Sequence, residues 1–410
     1  MKLLAGNCLV AQSGGPTTVI NSSAYGVITE FLKLSNGIAY AGVYGTEGIL
    51  SRKIFDVGKV NKKTLKGMKY LPSSALGSCR YKLKDFKEDP LEYELLFEIF
   101  REFNIKYFFY IGGNDSMDAA SKLYEYGKLK DYDIKIIGIP KTIDNDLVVT
   151  DHCPGFGSSA KYASNVVMEM WFDTNTYNNS SIAVVEVMGR DTGWIAASTG
   201  IIKDSIDDIN QLILIPEIPF EKTDFLNKVA KAYSINNKLI VVTSEGLKDN
   251  KGDYLSTQNE KDKGDQFGHT QLGGIGVYLQ NLIINNIDKR TKFIELGISQ
   301  RCAMHCASKT DLNEAMFVGK MAVKYASKGS SGYMVALDRK SEKPYICKSK
   351  LVPLKDVCNK EKYVPRDWMN EEGTNVNEKM LQYIKPLIKG EVNSFGENGL
   401  LKYVKFERKV

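Results

Sequence analysis

Short apolar runs rich in β-branched residues alternate along the chain with longer stretches in which apolar positions recur every three or four residues. The short runs predict strands over Cys8–Gln12, Ile38–Tyr44, Lys106–Ile111, Ile134–Ile139, Ser181–Val187, Gln211–Ile215, Lys238–Thr243, Phe293–Leu296 and Tyr333–Leu337. The longer stretches predict helices over Val19–Lys33, Tyr93–Phe103, Asp115–Tyr126, Asp224–Ser234, Ile275–Ile287 and Glu314–Ser327. Alternation of the two kinds makes parallel strand pairs, because each helix returns the chain to the edge where its strand began. The expected class is α/β: two doubly wound lobes with mainly parallel sheets flanked by helices, and binding loops at the carboxyl ends of the strands.

A chain of 410 residues is long for one hydrophobic core, so two lobes with an active site in the cleft between them are expected. Residues 1–150 are expected to form the first lobe, with part of 300–345 returning to it, and residues 151–300 the second. The more charged, less periodic residues 346–410 are expected as a C-terminal extension packed on the second lobe. The polar, Gly- and Lys-rich stretch Asp249–Gly268 reads as an exposed insertion.

Charge narrows the partners. The 55 Lys+Arg against 49 Asp+Glu leave a formal +6 without any basic run interleaved with aromatics, which excludes a polymeric nucleic-acid partner and suits small phosphorylated ligands. The seven cysteines show no CxxC spacing, so neither a disulfide framework nor a zinc site is expected, and the thiols fit a reducing compartment. The first residues lack a secretory apolar core and no run reaches the ~18 apolar residues of a membrane span; a cytoplasmic protein without membrane partners is the expectation.

The candidate chemistry sits where predicted strands end. The first strand runs into Gln12-Ser13-Gly14-Gly15-Pro16-Thr17-Thr18, where two glycines let backbone amides approach an anion ahead of a helix N-terminus; a plain turn explains it equally. Gly112-Gly113-Asn114-Asp115-Ser116 is a second phosphate-compatible turn, although Asn114 or Ser116 could simply cap the helix. In Pro140-Lys141-Thr142-Ile143-Asp144-Asn145-Asp146, two carboxylates and a lysine crowd the end of an apolar strand. One carboxylate can take a proton from an attacking hydroxyl while the other holds Mg²⁺ against phosphate oxygens. An Asx-rich surface turn would explain the Asp and Asn but not Lys141. Met188-Gly189-Arg190-Asp191 offers a guanidinium to a transferring phosphoryl group, or else a surface Arg190–Asp191 pair. Glu245-Gly246 and Gln300-Arg301 add a carboxylate for sugar hydroxyls and a guanidinium for a 6-phosphate. Of the three histidines, His152, His269 and His305, none is given catalytic work; Cys302 and Cys306 read as core thiols on a helix.

Together Gly14-Gly15…Asn21, Gly112-Gly113, Thr142-Ile143-Asp144-Asn145-Asp146 and Val187-Met188-Gly189-Arg190 resemble the phosphofructokinase family, over roughly residues 5–340. Tyr363-Val364-Pro365-Arg366-Asp367-Trp368 and Tyr383-Ile384-Lys385-Pro386-Leu387 look like the tail of its pyrophosphate-using branch. The resemblance implies that Asp144 is the general base on the 1-hydroxyl of fructose 6-phosphate, that Asp146 organises Mg²⁺, and that Thr142, Met188, Gly189, Arg190, Glu245 and Arg301 contact the sugar phosphate. Gly14, Gly15 and Arg80 fall where relatives handle the donor's phosphates. Lys292 matches a basic position presented to a neighbouring subunit, which implies a homodimer or homotetramer.

Donor choice in the family turns on two positions. ATP-using relatives have glycine where this chain has Asp115 and glycine where it has Lys141. Aspartate at the first repels a nucleotide's α-phosphate, and lysine at the second neutralises pyrophosphate as its bridging bond breaks. The implied reaction is a reversible, Mg²⁺-dependent transfer from pyrophosphate to fructose 6-phosphate. The competing readings are an ATP-dependent enzyme and a non-catalytic sugar-phosphate sensor on the same fold. Three departures stand out: Asn114 replaces an aspartate near the metal, and Ser181 and Ile298 replace an arginine and a histidine at substrate-facing positions.

Overall fold

The apolar runs become strands β1 (Asn7–Gln12), β2 (Ala39–Gly42), β3 (Ile54–Asp56), β4 (Ile105–Gly112), β5 (Lys135–Pro140), β6 (Ser181–Val187), β7 (Gln211–Leu214), β8 (Lys238–Ser244), β9 (Thr291–Glu295), β10 (Tyr333–Glu342) and β11 (Tyr345–Pro353). They are seen in a computed structural model that describes residues 4–255, 272–392 and 396–408. The chain divides into two units. The first comprises Met1–Gly155, Arg301–Glu361 and Gly390–Val410; the second comprises Phe156–Gln300 and Lys362–Lys389.

In the first unit a seven-stranded sheet runs β11-β10-β5-β4-β1-β2-β3. Its interior is parallel, and the antiparallel strands β3 and β11 form the two edges. The pleat sends Cys8 and Val10 of β1 to one face and Leu9 and Ala11 to the other, and all four are fully buried. Burial on both faces is why these strands read as continuous apolar runs. Helices Ile20–Leu34 and Lys309–Ser327 cover one face. Helices Leu91–Glu102 and Asn114–Leu129 cover the other. Gly26 and Gly319 bring the first pair into backbone contact: an added Cβ would lie 2.3 Å from the Met316 carbonyl oxygen and 2.1 Å from that of Ser23, respectively.

The second unit is built on the fully parallel sheet β7-β8-β6-β9. Val184 and Val241 pack there against Phe225 and Val229 of helix Lys222–Asn236 and against Leu279 and Ile283 of helix Ile275–Asn286. Helix Phe156–Asn175 lies against β6 and β8. Among the described residues no helix is long and apolar enough to cross a membrane.

Each predicted strand and helix has a counterpart, its ends shifted by up to five residues, as where Tyr333–Glu342 runs on past Leu337 and Lys309–Ser327 starts ahead of Glu314. The α/β class holds. Two expectations need correction. Residues 346–410 are not one extension on the second unit: β11 is the edge of the first unit's sheet, Lys362–Lys389 belongs to the second unit, and the chain returns to the first from Gly390. β11 hid from the reading because Tyr345–Pro353 carries lysines and is mostly half-exposed, as a protected sheet edge permits. Cys302 and Cys306 lie on or beside short 3₁₀ turns and are only partly buried, so the helical core reading fails. Of the expected insertion, Asn250–Asp253 is exposed and residues 256–268 lie outside the described residues, as does His269.

Candidate functional site

In the first unit the loops after β1, β4 and β5 converge. Gly14 takes a positive φ of 74°, which favours glycine, and its N–H donates to the Cys79 carbonyl at 2.9 Å. Ser78 Oγ donates to the Gly14 carbonyl at 2.6 Å, so the loop carrying Arg80 is stitched to the Gly-Gly turn. A Cβ on Gly15 would stand 3.0 Å from Arg301 Nη1 and 4.0 Å from Arg80 Nη2; one on Gly14 would stand 3.3 Å from Lys141 Nζ. Lys141 Nζ itself donates to the Gly15 carbonyl. Three cations therefore face one glycine turn, where no side chain takes up the space: an arrangement for binding a compact, highly charged anion.

Lys141 is 3% exposed. Burial lowers its pKa from 10.5 to about 8; Asp144 and Asp146 oppose that shift and Arg301 and Arg80 reinforce it. Its backbone N–H donates to the Gly112 carbonyl at 2.9 Å, tying the β5 exit to the β4 exit. Directly beyond, Gly113 caps helix Asn114–Leu129, with Asp115 half-buried in the first turn.

The β5 exit arranges its two carboxylates through its own short hydrogen bonds. The Asp144 N–H donates to Thr142 Oγ1 at 3.0 Å. Asn145, at φ 54°, turns inward and its Oδ1 accepts from the Cys153 N–H at 3.0 Å. Burial, and next the charge of Asp144, push Asp146 up to about 7. Asp146 Oδ1 is shut off from solvent and has no hydrogen-bond partner among the described residues. An orphaned carboxylate oxygen beside a second carboxylate fits a hard divalent cation, whose remaining ligands would be water and phosphate oxygens. Among the described residues there is no group of three or more His, Cys, Asp or Glu that could hold a metal alone.

Asn114 spends both ends of its amide on the chain near residue 360. Its Nδ2 donates to the Lys360 carbonyl at 2.6 Å and its Oδ1 accepts from the Asn359 N–H at 2.5 Å. An amide can do both at once and an aspartate cannot, which accounts for the residue type. Arg301 belongs to the first unit, and its guanidinium faces Gly15.

Behind this loop lies a buried charged network that the sequence reading treated as incidental. His152, 1% exposed, places Nδ1 2.7 Å from Asp151 Oδ1 and Nε2 2.7 Å from Glu314 Oε2. Arg339 Nε donates to Asp151 at 3.1 Å and Tyr345 Oη to Glu314 at 2.6 Å. Burial would depress the imidazolium, but Glu314 and Asp151 together raise its pKa from 6.5 to about 9. Such a group stabilises the fold fully below pH ~6.5, and loses that contribution as pH rises through about 9, a swing of about 3 kcal/mol. Denaturant titrations should show the stability gap between the unmodified protein and His152→Gln narrowing by that amount from pH 6.5 to 9.5; a pH-independent gap would mean His152 is neutral when folded.

The second unit presents the β6 and β8 exits. Gly189 has φ 139°. Its N–H donates to Glu245 Oε1 at 3.3 Å, while the Met188 N–H donates to Gln300 Oε1 at 3.3 Å. Gly246 must lack a side chain, since a Cβ would fall 1.6 Å from the Arg190 carbonyl oxygen. Arg190 is not paired with its neighbour: Asp191 receives Lys248 Nζ at 2.7 Å, and Arg190 Nε is buried without a hydrogen-bond partner among the described residues. Burial raises the pKa of Glu245.

Glu217, which the sequence reading missed, accepts the Gly193 N–H at 3.0 Å and the Val364 N–H at 2.9 Å and so fixes this loop to the tail. Its only signal was a carboxylate between Pro216 and Pro219. Lys292 is exposed on β9 and pairs with Asp173, away from the β6 exit. Ser181 starts β6, at the opposite end from Met188, and Ile298 is 69% exposed. A cavity of about 900 Å³ in the first unit, lined by Tyr124, Lys128, Lys135 and Lys328 among others, opens by the starts of β5 and β10, so it belongs to the edge without these loops.

The phosphofructokinase family model matches residues 7–326. The chain is 40% identical over 402 residues to the pyrophosphate--fructose 6-phosphate 1-phosphotransferase of Xanthomonas campestris pv. campestris (strain B100), covering 97% of this chain and 96% of that protein. It is 38% identical over 406 residues to the enzyme of that name from Halomonas elongata, covering 98% and 96%. The crystal structure of a pyrophosphate-dependent phosphofructokinase from Nitrosospira multiformis superposes with a TM-score of 0.90 at 36% identity, covering 99% of this chain and 97% of that one. A family pattern that takes in β1 through helix Lys309–Ser327, together with full-length relatives, shows that this chain belongs to the phosphofructokinase family.

Proposed function

We propose that this protein transfers a phosphoryl group from inorganic pyrophosphate to the 1-hydroxyl of fructose 6-phosphate, giving fructose 1,6-bisphosphate and phosphate, reversibly. The observation that carries the reading is Lys141, buried over Gly14-Gly15 with Arg80 and Arg301 alongside, and with Asp144 and Asp146 next along its own loop. The names of the full-length relatives support the same donor and acceptor.

In this reading Asp144 takes the proton from the attacking hydroxyl. Lys141, Arg80 and Arg301 hold the diphosphate, and Lys141 meets the charge that develops as the bridging P–O bond breaks. Thr142 orients Asp144 through the Asp144 N–H. Met188, Gly189, Arg190 and Glu245 hold the sugar phosphate, Arg190 with an unspent Nε and Glu245 as acceptor for hydroxyls. Asp146, helped by Asp144, would hold Mg²⁺, which would screen the diphosphate oxygens when bound. Asp115 adds a negative charge at the helix start where a nucleotide's next phosphate would have to lie. Lys292 is assigned to a neighbouring subunit's sugar phosphate in a homodimer or homotetramer, and the protein to the cytoplasm.

A donor panel tests the assignment. Purified protein with Mg²⁺ and fructose 6-phosphate should turn over pyrophosphate at least about 100-fold faster than ATP, the scale of one well-placed charge in a phosphoryl-transfer site. Equal rates would overturn the donor assignment. The double variant Asp115→Gly, Lys141→Gly should lose pyrophosphate activity; if it keeps it, neither residue sets the donor.

A further inference from the structure

The loop that supplies Arg80 is gripped from two sides. From inside, Asn21 Nδ2 donates to the carbonyls of Leu71 and Ser73 at 2.9 and 2.7 Å. Asn21 Oδ1 accepts the Ala75 N–H at 2.7 Å, and Gln12 Oε1 accepts the Leu76 N–H at 3.0 Å. Asn21 and Gln12 are fully buried. The loop needs fixing, because Ser73 and Gly77 both hold left-handed φ values, 61° and 77°.

From outside, the extended segment 404–408 lies across the first unit with alternate side chains turned inward. Val404 fills the space left by Gly67, whose added Cβ would come 2.3 Å from Val404 Cγ1. The Phe406 ring packs edge-on to Phe55 at 6.4 Å and joins the helix-covered core. Arg408 then reaches the loop: Nε donates to the Ala75 carbonyl at 2.8 Å, Nη2 to the Ser74 carbonyl at 3.3 Å and Nη1 to Tyr44 Oη at 3.0 Å. Its guanidinium sits 5.0 Å from the Tyr44 ring centre, a cation–π contact. The Tyr44 ring in turn lies over Gly77, and the Tyr44 N–H donates to the Leu76 carbonyl at 3.0 Å. A few residues further on, Ser78 and Cys79 bond Gly14, and Arg80 faces Gly15.

We infer that Arg408 is a positioning residue for the donor anion: by clamping residues 74–76 it fixes the loop that aims Arg80 at the Gly14-Gly15 turn, and so sets the affinity for the diphosphate. The inference rests on the donor reading proposed above. Arg408 is an exposed residue that holds Tyr44, Ser74 and Ala75, so its effect should fall on the donor alone.

The test compares unmodified protein with Arg408→Ala and Arg408→Lys, in full chains, by steady-state kinetics and by calorimetric titration with inorganic pyrophosphate. Arg408→Ala should raise KM and Kd for pyrophosphate about 5- to 10-fold, the range expected when a charged donor's hydrogen bonds are lost. Its kcat and its KM for fructose 6-phosphate should stay within twofold. Arg408→Lys, which keeps the cation over Tyr44, should recover most of the affinity. An unchanged pyrophosphate Kd, or a parallel loss in every parameter, would overturn the inference. Weakened pyrophosphate binding in Arg408→Ala without pyrophosphate turnover by the unmodified protein would uphold the inference and overturn the proposed reaction; no binding by the unmodified protein would overturn both.

Discussion

The Asp144→Asn variant should lose about three orders of magnitude in turnover, the scale of a positioned general base, while binding fructose 6-phosphate within twofold of the unmodified protein. The substitution keeps the shape and preserves the bond from the residue 144 N–H to Thr142 Oγ1, which is made by the backbone. It removes the lone pair that accepts the hydroxyl proton. It also removes the charge that, after burial, does most to raise Asp146. Asp146 should therefore ionise more readily, and saturating Mg²⁺ should not restore the lost turnover. Single-turnover rates paired with calorimetric sugar-phosphate binding separate chemistry from affinity. Turnover within tenfold of the unmodified protein would remove Asp144 from the role of base.

The sequence disclosed what is local. Thr142, Asp144 and Asp146 could be grouped from sequence because they stand within one loop, in which Asn145 takes a left-handed φ. Gly14 and Gly15 were visible as a turn, but the three cations facing them come from separate stretches around residues 80, 141 and 301, and only the sheet order β5-β4-β1 brings the β1 and β5 exits near each other. Arg301 was assigned to the sugar phosphate by its neighbours in sequence, and no local pattern could show that its guanidinium faces Gly15. Asn114 was placed near the metal by residue type alone, which says nothing of its hydrogen bonds. An amide at a helix start can equally well clamp a turn some 245 positions away, and here it does. Glu217, His152 and Arg408 were illegible for a common reason. Each acts by joining segments far apart in the chain, and none sits in a pattern whose period or composition marks it. The edge strand β11 was lost to the opposite error, since its half-exposed lysines look like loop until β10 is laid beside it.

Lys141→Met should lower kcat/KM for pyrophosphate about 1000-fold, as expected for removal of a preorganised charge at a developing phosphate, without destabilising the fold below pH 8. Activity and stability part here because burial penalises the cation. A lysine held at about 8 rather than 10.5 weakens the folded state by about 3 kcal/mol at any pH below 8. Between 8 and 10.5 the unfolded chain binds more protons than the folded one, so the unmodified protein gains stability with rising pH. Methionine has no charge to desolvate, so the variant should match or exceed the unmodified protein at pH 7, less the hydrogen bond to the Gly15 carbonyl. Activity runs the other way. The cation is the form that binds the diphosphate, so kcat/KM for pyrophosphate in the unmodified protein should fall about tenfold per pH unit above about 8. Bound pyrophosphate favours the protonated lysine, and kcat should hold to higher pH than kcat/KM does. The methionine variant, already without the charge, should lack that descending limb. A Lys141→Met protein that is both unstable at pH 7 and retains the alkaline limb would show that some other group titrates at the site, and that Lys141 is there to fill space.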